Sequence, residues 1–302
     1  MTVLVIGEAL VDVVNGATHV GGSPLNVAVG LSRLDRATRL LTRFGDDEWG
    51  RLIAAQLEAN GVEQAQAPDA QRTSSAKVTL DAAGVPSYDF DIHWALDEAV
   101  AAGALDAPTR VVHTGSIATV LQPGADAVRR IVEAARGRAL VTFDPNCRPT
   151  VVPDRVLAVA QAEAFVALSD VVKASDEDLN WLYPDRSIED ALRCWLELGA
   201  SLTVATRGSE GAIALTRSTA AAVPGVTVEV ADTVGAGDSF MAALIDGLLG
   251  HVGEGADAAE AVAALTTAEL ERLLAYCARA AAITVSRPGA DPPRRDELAA
   301  SA

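Results

Sequence analysis

Residues 232–240 read Asp-Thr-Val-Gly-Ala-Gly-Asp-Ser-Phe, and this stretch is the most informative part of the chain. Two glycines flank an alanine, an aspartate follows, and apolar residues then recur at helical spacing: Phe240, Met241, Leu244, Ile245, Leu248 and Leu249. Free N–H groups at the start of such a helix bind anions, and glycines let a phosphate approach the backbone. Asp238 would therefore lie where an anion hole meets a carboxylate base, an arrangement suited to phosphoryl transfer from ATP to a hydroxyl. Taken alone, the stretch is also typical of an ordinary N-capped helix.

A second motif near the N-terminus favours the first interpretation. Residues 21–28 read Gly-Gly-Ser-Pro-Leu-Asn-Val-Ala. The two motifs resemble the G-G-x-x-x-N-x-A and D-T-x-G-A-G-D patterns of the ribokinase-like (PfkB) carbohydrate kinases, and the resemblance extends over about residues 3–290. Within that family, the chain resembles the fructokinases most. This likeness rests on residues 7–12, Gly-Glu-Ala-Leu-Val-Asp, together with Gly-Gly-Ser-Pro-Leu-Asn and an Asp-Pro-Asn-x-Arg segment at residues 144–148. It implies the α/β class, as a three-layer α/β/α sandwich with a mostly parallel central sheet and a small β-sheet lid.

Strand-like and helix-like segments alternate along most of the chain, which predicts a parallel sheet covered on both faces. Two regions, 9–20 and 77–92, are strand-like with no helix between the strands. The resemblance implies that they belong to a lid of about residues 9–20 and 72–98 within one kinase domain spanning 1–302; surface hairpins are the alternative. Residues 212–215 and 226–230 favour antiparallel edge strands, and we expect 291–302 to be loose.

The composition limits the classes of partner and location. The 302-residue chain has a net charge of −17, which argues against nucleic acid as a partner. Three widely separated cysteines are expected to be reduced thiols in a cytoplasmic protein, and neither a signal peptide nor a membrane-spanning apolar run is predicted. The chain contains two lysines, Lys77 and Lys173, and no G-x-x-x-x-G-K-[ST] motif. We therefore expect arginine side chains, backbone amides and a metal ion, rather than a P-loop lysine, to bind the phosphate groups.

The resemblance assigns the chemistry to a few residues. Asp238 is predicted to be the base that accepts the proton of the attacking sugar hydroxyl, and the N–H groups of Gly235, Ala236 and Gly237 to form the anion hole. Residues 144–148, Asp-Pro-Asn-Cys-Arg, follow a predicted core strand and resemble the family's D-x-N-x-R. Arg148 is therefore predicted to contact phosphate, with a surface ion pair as the alternative.

The sugar-binding candidates come from the first third of the chain. Gly22 and Asn26 of the second motif resemble the family's sugar contacts, and Asp12 resembles a carboxylate that binds two sugar hydroxyls. Turn, cap and solvated-loop roles are the alternatives. The aromatic residues Tyr88 and Phe90 are predicted to stack on the sugar or, alternatively, to form the lid's own core or a dimer contact.

The nucleotide candidates come from the second half of the chain. Thr206, Gly208 and Gly211 resemble the family's T-x-G-x-x-G nucleotide loop, although this spacing is also common in turns. Ala278 stands where many relatives have an Asn against the adenine, so we expect the contacts with the base to be mostly apolar.

Two metal sites are implied by the resemblance. The family's N-x-x-E is replaced here by Ser175 and Asp178, so a water-mediated contact with Mg²⁺ is assigned to Asp178 or the adjacent Glu177. Acidic residues that merely start a helix are the alternative. The backbone carbonyls of Asp232 and Val234 are predicted to bind a monovalent cation such as K⁺.

The resemblance implies an ATP-dependent kinase that phosphorylates a primary hydroxyl of a small sugar, with D-fructose as the first candidate acceptor. 2-Keto-3-deoxygluconate or another ketose or pentose is the second candidate, and a nucleoside is the third. A non-catalytic protein that binds sugar or nucleotide is the alternative from a different class, supported only by the altered pair Ser175 and Asp178. The expected partners are the sugar, ATP with Mg²⁺, and a second copy of the chain that pairs through the lid.

Overall fold

A computed structural model describes residues 2–14, 16–80, 86–251 and 258–300. Its strands are β1 Thr2–Ile6, β2 Leu10–Val14, β3 Ala17–Gly21, β4 Ala37–Leu41, β5 Glu63–Gln64, β6 Ser75–Leu80, β7 Pro86–Asp91, β8 Thr109–Gly115, β9 Leu140–Asp144, β10 Val171–Ser175, β11 Leu202–Thr206, β12 Ala212–Leu215 and β13 Ala220–Val223. Its helices are α1 Ser23–Arg33, α2 Glu48–Ala59, α3 Glu98–Ala102, α4 Gly124–Ala135, α5 Arg155–Val166, α6 Asp176–Leu182, α7 Ile188–Leu198, α8 Ala236–His251, α9 Ala258–Ala263, α10 Thr267–Val285 and α11 Arg295–Ala300.

Within these described ranges, nine strands form a large sheet in the order β13-β12-β11-β10-β9-β8-β1-β4-β5. Neighbouring strands from β5 to β11 are parallel, and β12 and β13 are added antiparallel at one edge. A second sheet, called the small sheet below, has the order β3-β2-β6-β7.

The central strand β1 explains why helices cover both faces of the large sheet. Val3 and Val5 pack into a hydrophobic cluster with α1, α8 and α10, whereas Leu4 and Ile6 pack into a second cluster with α4, α5 and α7. All four side chains are fully buried. A strand that is buried on both faces has a continuous apolar sequence, which is the pattern of a parallel sheet between two helical layers. The three-layer α/β/α arrangement confirms the predicted fold class.

The small sheet occupies the two segments that the sequence assigns to a lid, with Gly21 one residue beyond the predicted bounds. Its strand β3 leads into α1 through the single residue Gly22, which has a φ of 112°. A Cβ atom at position 22 would lie 2.5 Å from the carbonyl oxygen of Glu8. Only glycine therefore fits at this junction. The action of the small sheet as a lid remains a prediction.

The prediction of an edge strand at residues 226–230 is wrong. The N–H of Thr216 donates to the carbonyl of Thr219 at 2.9 Å, which closes a tight turn after β12, so the returning strand β13 begins at Ala220. Pro224 follows the last residue of β13, and proline has no N–H with which to continue the ladder. Residues 225–230 then have no regular secondary structure.

The expectation that residues 291–302 are loose is also wrong for residues 291–300, because ion pairs hold α11 in place. Residues 301 and 302 lie outside the described part of the structure. Arg295 donates to Asp246 on α8 at 2.7 Å, and Arg287 pairs with Glu297. Asp246 is buried and also accepts a hydrogen bond from Arg36 at 2.6 Å, so one carboxylate joins three segments of the chain. None of the helices in the described ranges is both long enough and apolar enough to span a bilayer.

Candidate active site

A cleft of about 1800 Å³ opens at the carboxyl ends of the parallel strands. It extends from Asp12 and Phe90 on the small sheet, across the start of α8, to Ala278 on α10. The side chain of Tyr88 lies outside the described part of the structure, but the other predicted site residues line the cleft. They are Asp12, Gly22, Asn26, Phe90, Arg148, Glu177, Asp178, Thr206, Gly208, Gly211, Asp232, Val234, Gly235, Ala236, Gly237, Asp238 and Ala278.

Asp238 lies in the first turn of α8 and is held by two side chains from the first turn of α1. Ser23 Oγ donates to one carboxylate oxygen at 2.6 Å, and Asn26 Nδ2 donates to the other at 2.8 Å. Asp238 is 9% exposed, so the cleft reaches it from one side only. The sequence did not indicate Ser23, although its position directly after the paired glycines places it at the helix start.

The side-chain amide of Asn26 has a hydrogen bond at its nitrogen and none at its oxygen among the described residues. Its amide nitrogen binds Asp238, whereas its Oδ1 atom is buried and has no hydrogen-bond partner among the described residues. A buried acceptor without a donor is energetically unfavourable. An O–H group that entered the cleft here could donate to Asn26 and approach Asp238 at the same time.

The turn before α8 is shaped by two glycines. Gly235 has a φ of 75°, and a Cβ atom there would lie 2.7 Å from the Cβ of Ala290. A Cβ atom on Gly237 would lie 3.1 Å from Lys173 Nζ. The N–H of Ala236 makes a long bond of 3.4 Å with the carbonyl of Thr233 and is only weakly engaged. The start of α8 therefore presents its backbone to the cleft at close range, as an anion hole requires.

A buried ion pair lies beneath this turn. Lys173 Nζ donates to Asp144 Oδ2 at 2.7 Å, and both side chains are almost fully buried. Burial raises the pKa of Asp144 to about 6, and Lys173 opposes this rise. Burial lowers the pKa of Lys173, but Asp144, Asp178 and Asp238 raise it more, so that the pKa lies above its ordinary value. The 2.7 Å contact has the geometry of an ion pair, and neither residue was among the site residues predicted from the sequence.

Asp178 holds the two loops on this side of the cleft together. Ser175 and Asp178 form a capping box, in which Asp178 Oδ2 accepts from the backbone N–H and the hydroxyl of Ser175 at 2.9 and 2.7 Å. Its Oδ1 accepts from the N–H of Cys147 at 2.8 Å. Both carboxylate oxygens are therefore engaged, while the neighbouring Glu177 is exposed and borders the cleft.

Arg148 extends from the loop that Asp178 holds. Its Nη1 donates to Asn146 Oδ1 at 2.7 Å and to the carbonyl of Cys147 at 2.9 Å. The side chain is exposed and borders the cleft. The guanidinium is thus fixed by its own loop and keeps a charged face toward the cleft.

Two carboxylates lie near the small sheet. Burial raises the pKa of Asp12, with His19 and Arg148 opposing the rise. Glu8 is buried and accepts from the N–H of Ala118 at 3.3 Å. Burial raises the pKa of Glu8 to about 7, with a hydrogen bond from Ser116 opposing the rise. Glu8 was not among the predicted site residues, and its place two residues after β1 is the one local signal for it.

The far end of the cleft is built from small and apolar groups. Ala278, Ala281, Ala282 and Val285 of α10 line one wall. The loop at Gly208 and Gly211 lies nearby, closed by a 2.8 Å bond from the N–H of Arg207 to the carbonyl of Gly211. Three valines are exposed along the remaining side: Val226, Val230 and Val234.

Asp232 joins the loop before α8 to the loop after α10. Its carboxylate accepts from the N–H of Val234 at 3.0 Å and of Gly289 at 2.9 Å. These two backbone hydrogen bonds lower the pKa of Asp232. The two loops are thereby fixed side by side at the predicted monovalent-cation site.

Comparison with known proteins identifies the family of the chain. The chain matches the model of the pfkB family of carbohydrate kinases over residues 4–297. A fructokinase of Rhizobium leguminosarum bv. trifolii is 31% identical over 264 residues, which cover 82% of this chain and 79% of the relative. Fructokinase-1 of Zea mays is 33% identical over 264 residues, covering 80% of this chain and 81% of the relative.

The solved structures give the same result for the fold. A double mutant of Vibrio cholerae O395 fructokinase, with fructose, ADP and potassium ion bound, superposes with a TM-score of 0.82 at 28% identity. The match covers 99% of this chain and 97% of that one. The chain belongs to the pfkB family of carbohydrate kinases, and it is an ATP-dependent sugar kinase.

Proposed function

We propose that this kinase transfers the γ-phosphoryl group of ATP to a primary hydroxyl of D-fructose. The observation that carries the proposal is the position of Asp238, whose carboxylate faces the cleft at the start of α8 beside the backbone of Gly235 and Gly237. The relatives named above support fructose as the acceptor, since three proteins that match most of the chain are fructokinases.

The acceptor hydroxyl approaches the Asp238 carboxylate from the cleft, while Ser23 and Asn26 keep the carboxylate oriented. The sugar oxygen then attacks the γ-phosphorus, its proton passes to the Asp238 carboxylate, and the bond between the γ-phosphorus and the β–γ bridging oxygen breaks to release ADP. Neighbouring hydroxyls of the sugar are bound by Asn26 Oδ1 and Asp12. Base catalysis of this type typically contributes about 10²–10⁴-fold, and the backbone N–H groups before α8 stabilise the charge on the phosphoryl group.

The residues present also fit a nucleotide-bound Mg²⁺ ion. An ion of this kind usually keeps several waters and binds through one or two carboxylates and the substrate phosphates. The exposed carboxylate of Glu177 is the better placed of the two candidates to bind such waters, because Asp178 already accepts three hydrogen bonds. When bound, the ion would neutralise phosphate charge.

The backbone carbonyls of Asp232 and Val234 are proposed to bind K⁺. The loop that carries them is fixed against Gly289 by the Asp232 carboxylate. Potassium present in the assay buffer is therefore expected to raise turnover, with sodium as the comparison.

The proposal is tested by measuring ADP release with Mg-ATP and a panel of acceptors: fructose, 2-keto-3-deoxygluconate, ribose, tagatose, glucose and adenosine. A clear preference for fructose is the expected result. Preference for another acceptor would keep the mechanism and replace the sugar. No turnover with any acceptor, despite ATP binding, would favour the non-catalytic alternative. Light scattering of the same sample tests the proposed pairing of two copies through the small sheet.

A further inference from the structure

Lys173 is a buried cation whose position is unusual for this chain. The sequence has two lysines, and Lys173 lies in the core strand β10 with 4% of its side chain exposed. It pairs with Asp144 at the end of the neighbouring strand β9. Replacing a buried ion pair with apolar residues is often neutral or stabilising, so stability alone gives little reason for this pair.

The glycine above Lys173 leaves its ammonium group open to the cleft. Any side chain at position 237 would start 3.1 Å from Nζ, whereas Gly237 leaves that space empty. Nζ carries three protons, and the bond to Asp144 uses one of them. Lys173 also borders the cleft. The described residues therefore show a hydrogen bond for one of the three N–H groups, and the ammonium group lies next to the α8 backbone at Gly237.

The charges around Lys173 favour a role in transfer. Asp144, Asp178 and Asp238 all interact electrostatically with Lys173. Three carboxylates would repel an incoming phosphoryl group, and Lys173 is the cation buried among them. A fixed positive charge in a buried site stabilises developing negative charge more strongly than the same charge in water does.

We propose that Lys173 forms the cationic floor of the anion hole and donates a hydrogen bond to the phosphoryl group during transfer. This inference rests on the proposed kinase function. Lys173 keeps its proton throughout, so that no bond to Lys173 forms or breaks. Asp144 is the positioning residue that holds the ammonium beneath Gly237.

The decisive variant is the double substitution Lys173→Met with Asp144→Asn. The single change Lys173→Met would leave a buried carboxylate without its cation, which could unfold the protein. Asparagine at 144 removes that charge and keeps the acceptor oxygen that binds the N–H of Asn146 at 3.1 Å. The single variant Asp144→Asn retains the ammonium, and Lys77→Met removes the same type of charge from β6 on the small sheet.

Three measurements separate a catalytic role from a structural one. Thermal unfolding of the double variant is expected to stay near that of the wild type. Its kcat with the preferred sugar is expected to fall by about 10²–10³, with the sugar KM little changed. Calorimetry without sugar is expected to show that the double variant loses affinity for a non-hydrolysable ATP analogue by about tenfold or more, while its affinity for ADP is retained. Asp144→Asn should lose less turnover than the double variant, and Lys77→Met should lose none.

The outcomes are distinguishable. Wild-type turnover by a stably folded double variant would overturn the inference and leave the pair a structural role. Equal losses of affinity for ADP and for the ATP analogue would also overturn it. If the wild type phosphorylates no sugar, the proposed function fails, but the comparison of ADP with the ATP analogue still decides whether Lys173 binds the terminal phosphate.

Discussion

The two ends of the cleft differ in chemistry, and the proposed function gives them different roles toward ATP. At the transfer end, Asp238, Lys173 and Asp144 are each at most 9% exposed, and each is hydrogen-bonded to a protein partner. At the other end, which is proposed to bind the nucleobase, α10 contributes alanine and valine side chains to the wall, and exposed valines lie along the remaining side. In the proposed function, buried charges fix the geometry of the reaction, whereas the α10 side chains offer the nucleobase no hydrogen bond. Substitutions at the transfer end should therefore cost turnover, and those at the nucleobase end should change nucleotide choice.

The largest effect is expected for Asp238→Asn. The amide cannot accept the proton of the sugar hydroxyl, so kcat should fall by about 10²–10⁴ while sugar affinity stays roughly constant. The fold should tolerate the change, because the buried Asn26 Oδ1 has no partner and can accept from the new amide. Steady-state kinetics with sugar binding measured by calorimetry checks this. Near-normal turnover would show that Asp238 is not the base.

Glu8 is a further buried acid on the wall of the cleft, and Glu8→Gln tests the effect of its burial. The pKa of Glu8 is raised to about 7 from the usual 4.5, so the folded state keeps a proton that the unfolded chain releases. The free energy of unfolding therefore falls as the pH rises from 4.5 to 7. Removing the acid should flatten this dependence by up to about 3 kcal/mol, roughly a hundredfold in the unfolding equilibrium.

Urea unfolding at pH 5 and pH 8 measures the effect of Glu8→Gln, and the same change at exposed Glu58 is the control. Glutamine keeps an oxygen that can accept from the N–H of Ala118. A pH dependence identical to that of the wild type would mean that the Glu8 carboxyl is ionised in the fold without cost.

A smaller effect is expected for Ser23→Ala. This change removes one of the two donors to Asp238 and leaves the other, Asn26. Loss of one hydrogen bond to this charged group is expected to lower kcat about tenfold, because the Asp238 carboxylate becomes less well oriented. Ser23→Thr, which keeps a hydroxyl, is the matched control. If alanine and threonine variants behave alike, the hydroxyl of Ser23 does not position the base.

The smallest effect is expected at the end of the cleft that is proposed to bind the nucleobase. None of the α10 side chains that line this wall, Ala278, Ala281, Ala282 and Val285, can form a hydrogen bond with a nucleobase. Replacing ATP with GTP should therefore change kcat/KM by less than about tenfold. Ala278→Asn should increase the preference for one base, because an amide can read a base edge. A strong preference for ATP in the wild type would contradict a wall that selects by shape alone.

The sequence predicted the layers of the fold well, because each layer depends on local patterns. The apolar run of β1 and the glycine turn before α8 are readable without knowledge of distant contacts. The edge strand β13 was misassigned because the turn at Thr216 and Thr219 contains neither glycine nor proline. Ser175 and Asp178 have the spacing of a capping box and form one, although Asp178 also accepts a hydrogen bond from Cys147, 31 positions earlier in the chain.

The side chains that complete the site were not readable in the same way. Ser23 binds an aspartate 215 positions later in the chain, and Lys173 meets Asp144 across two strands 29 positions apart. Such pairs are created by the topology of the sheet, which brings the ends of separate strands to one edge. A lysine in the middle of an apolar strand was the one signal available, since lysine is rarely buried without a partner.

We expect the direct junction of β3 with α1 to affect the order in which the two substrates bind. Only Gly22 separates the last residue of β3 from Ser23, which holds the base. We predict that the small sheet shifts when the sugar binds, and such a shift would reach Asp238 without an intervening flexible loop. Sugar binding would then set the orientation of the Asp238 carboxylate, so we expect the kinetics to follow a fixed sequence with the sugar first. ATP that arrived earlier would meet a carboxylate that is not yet oriented for transfer.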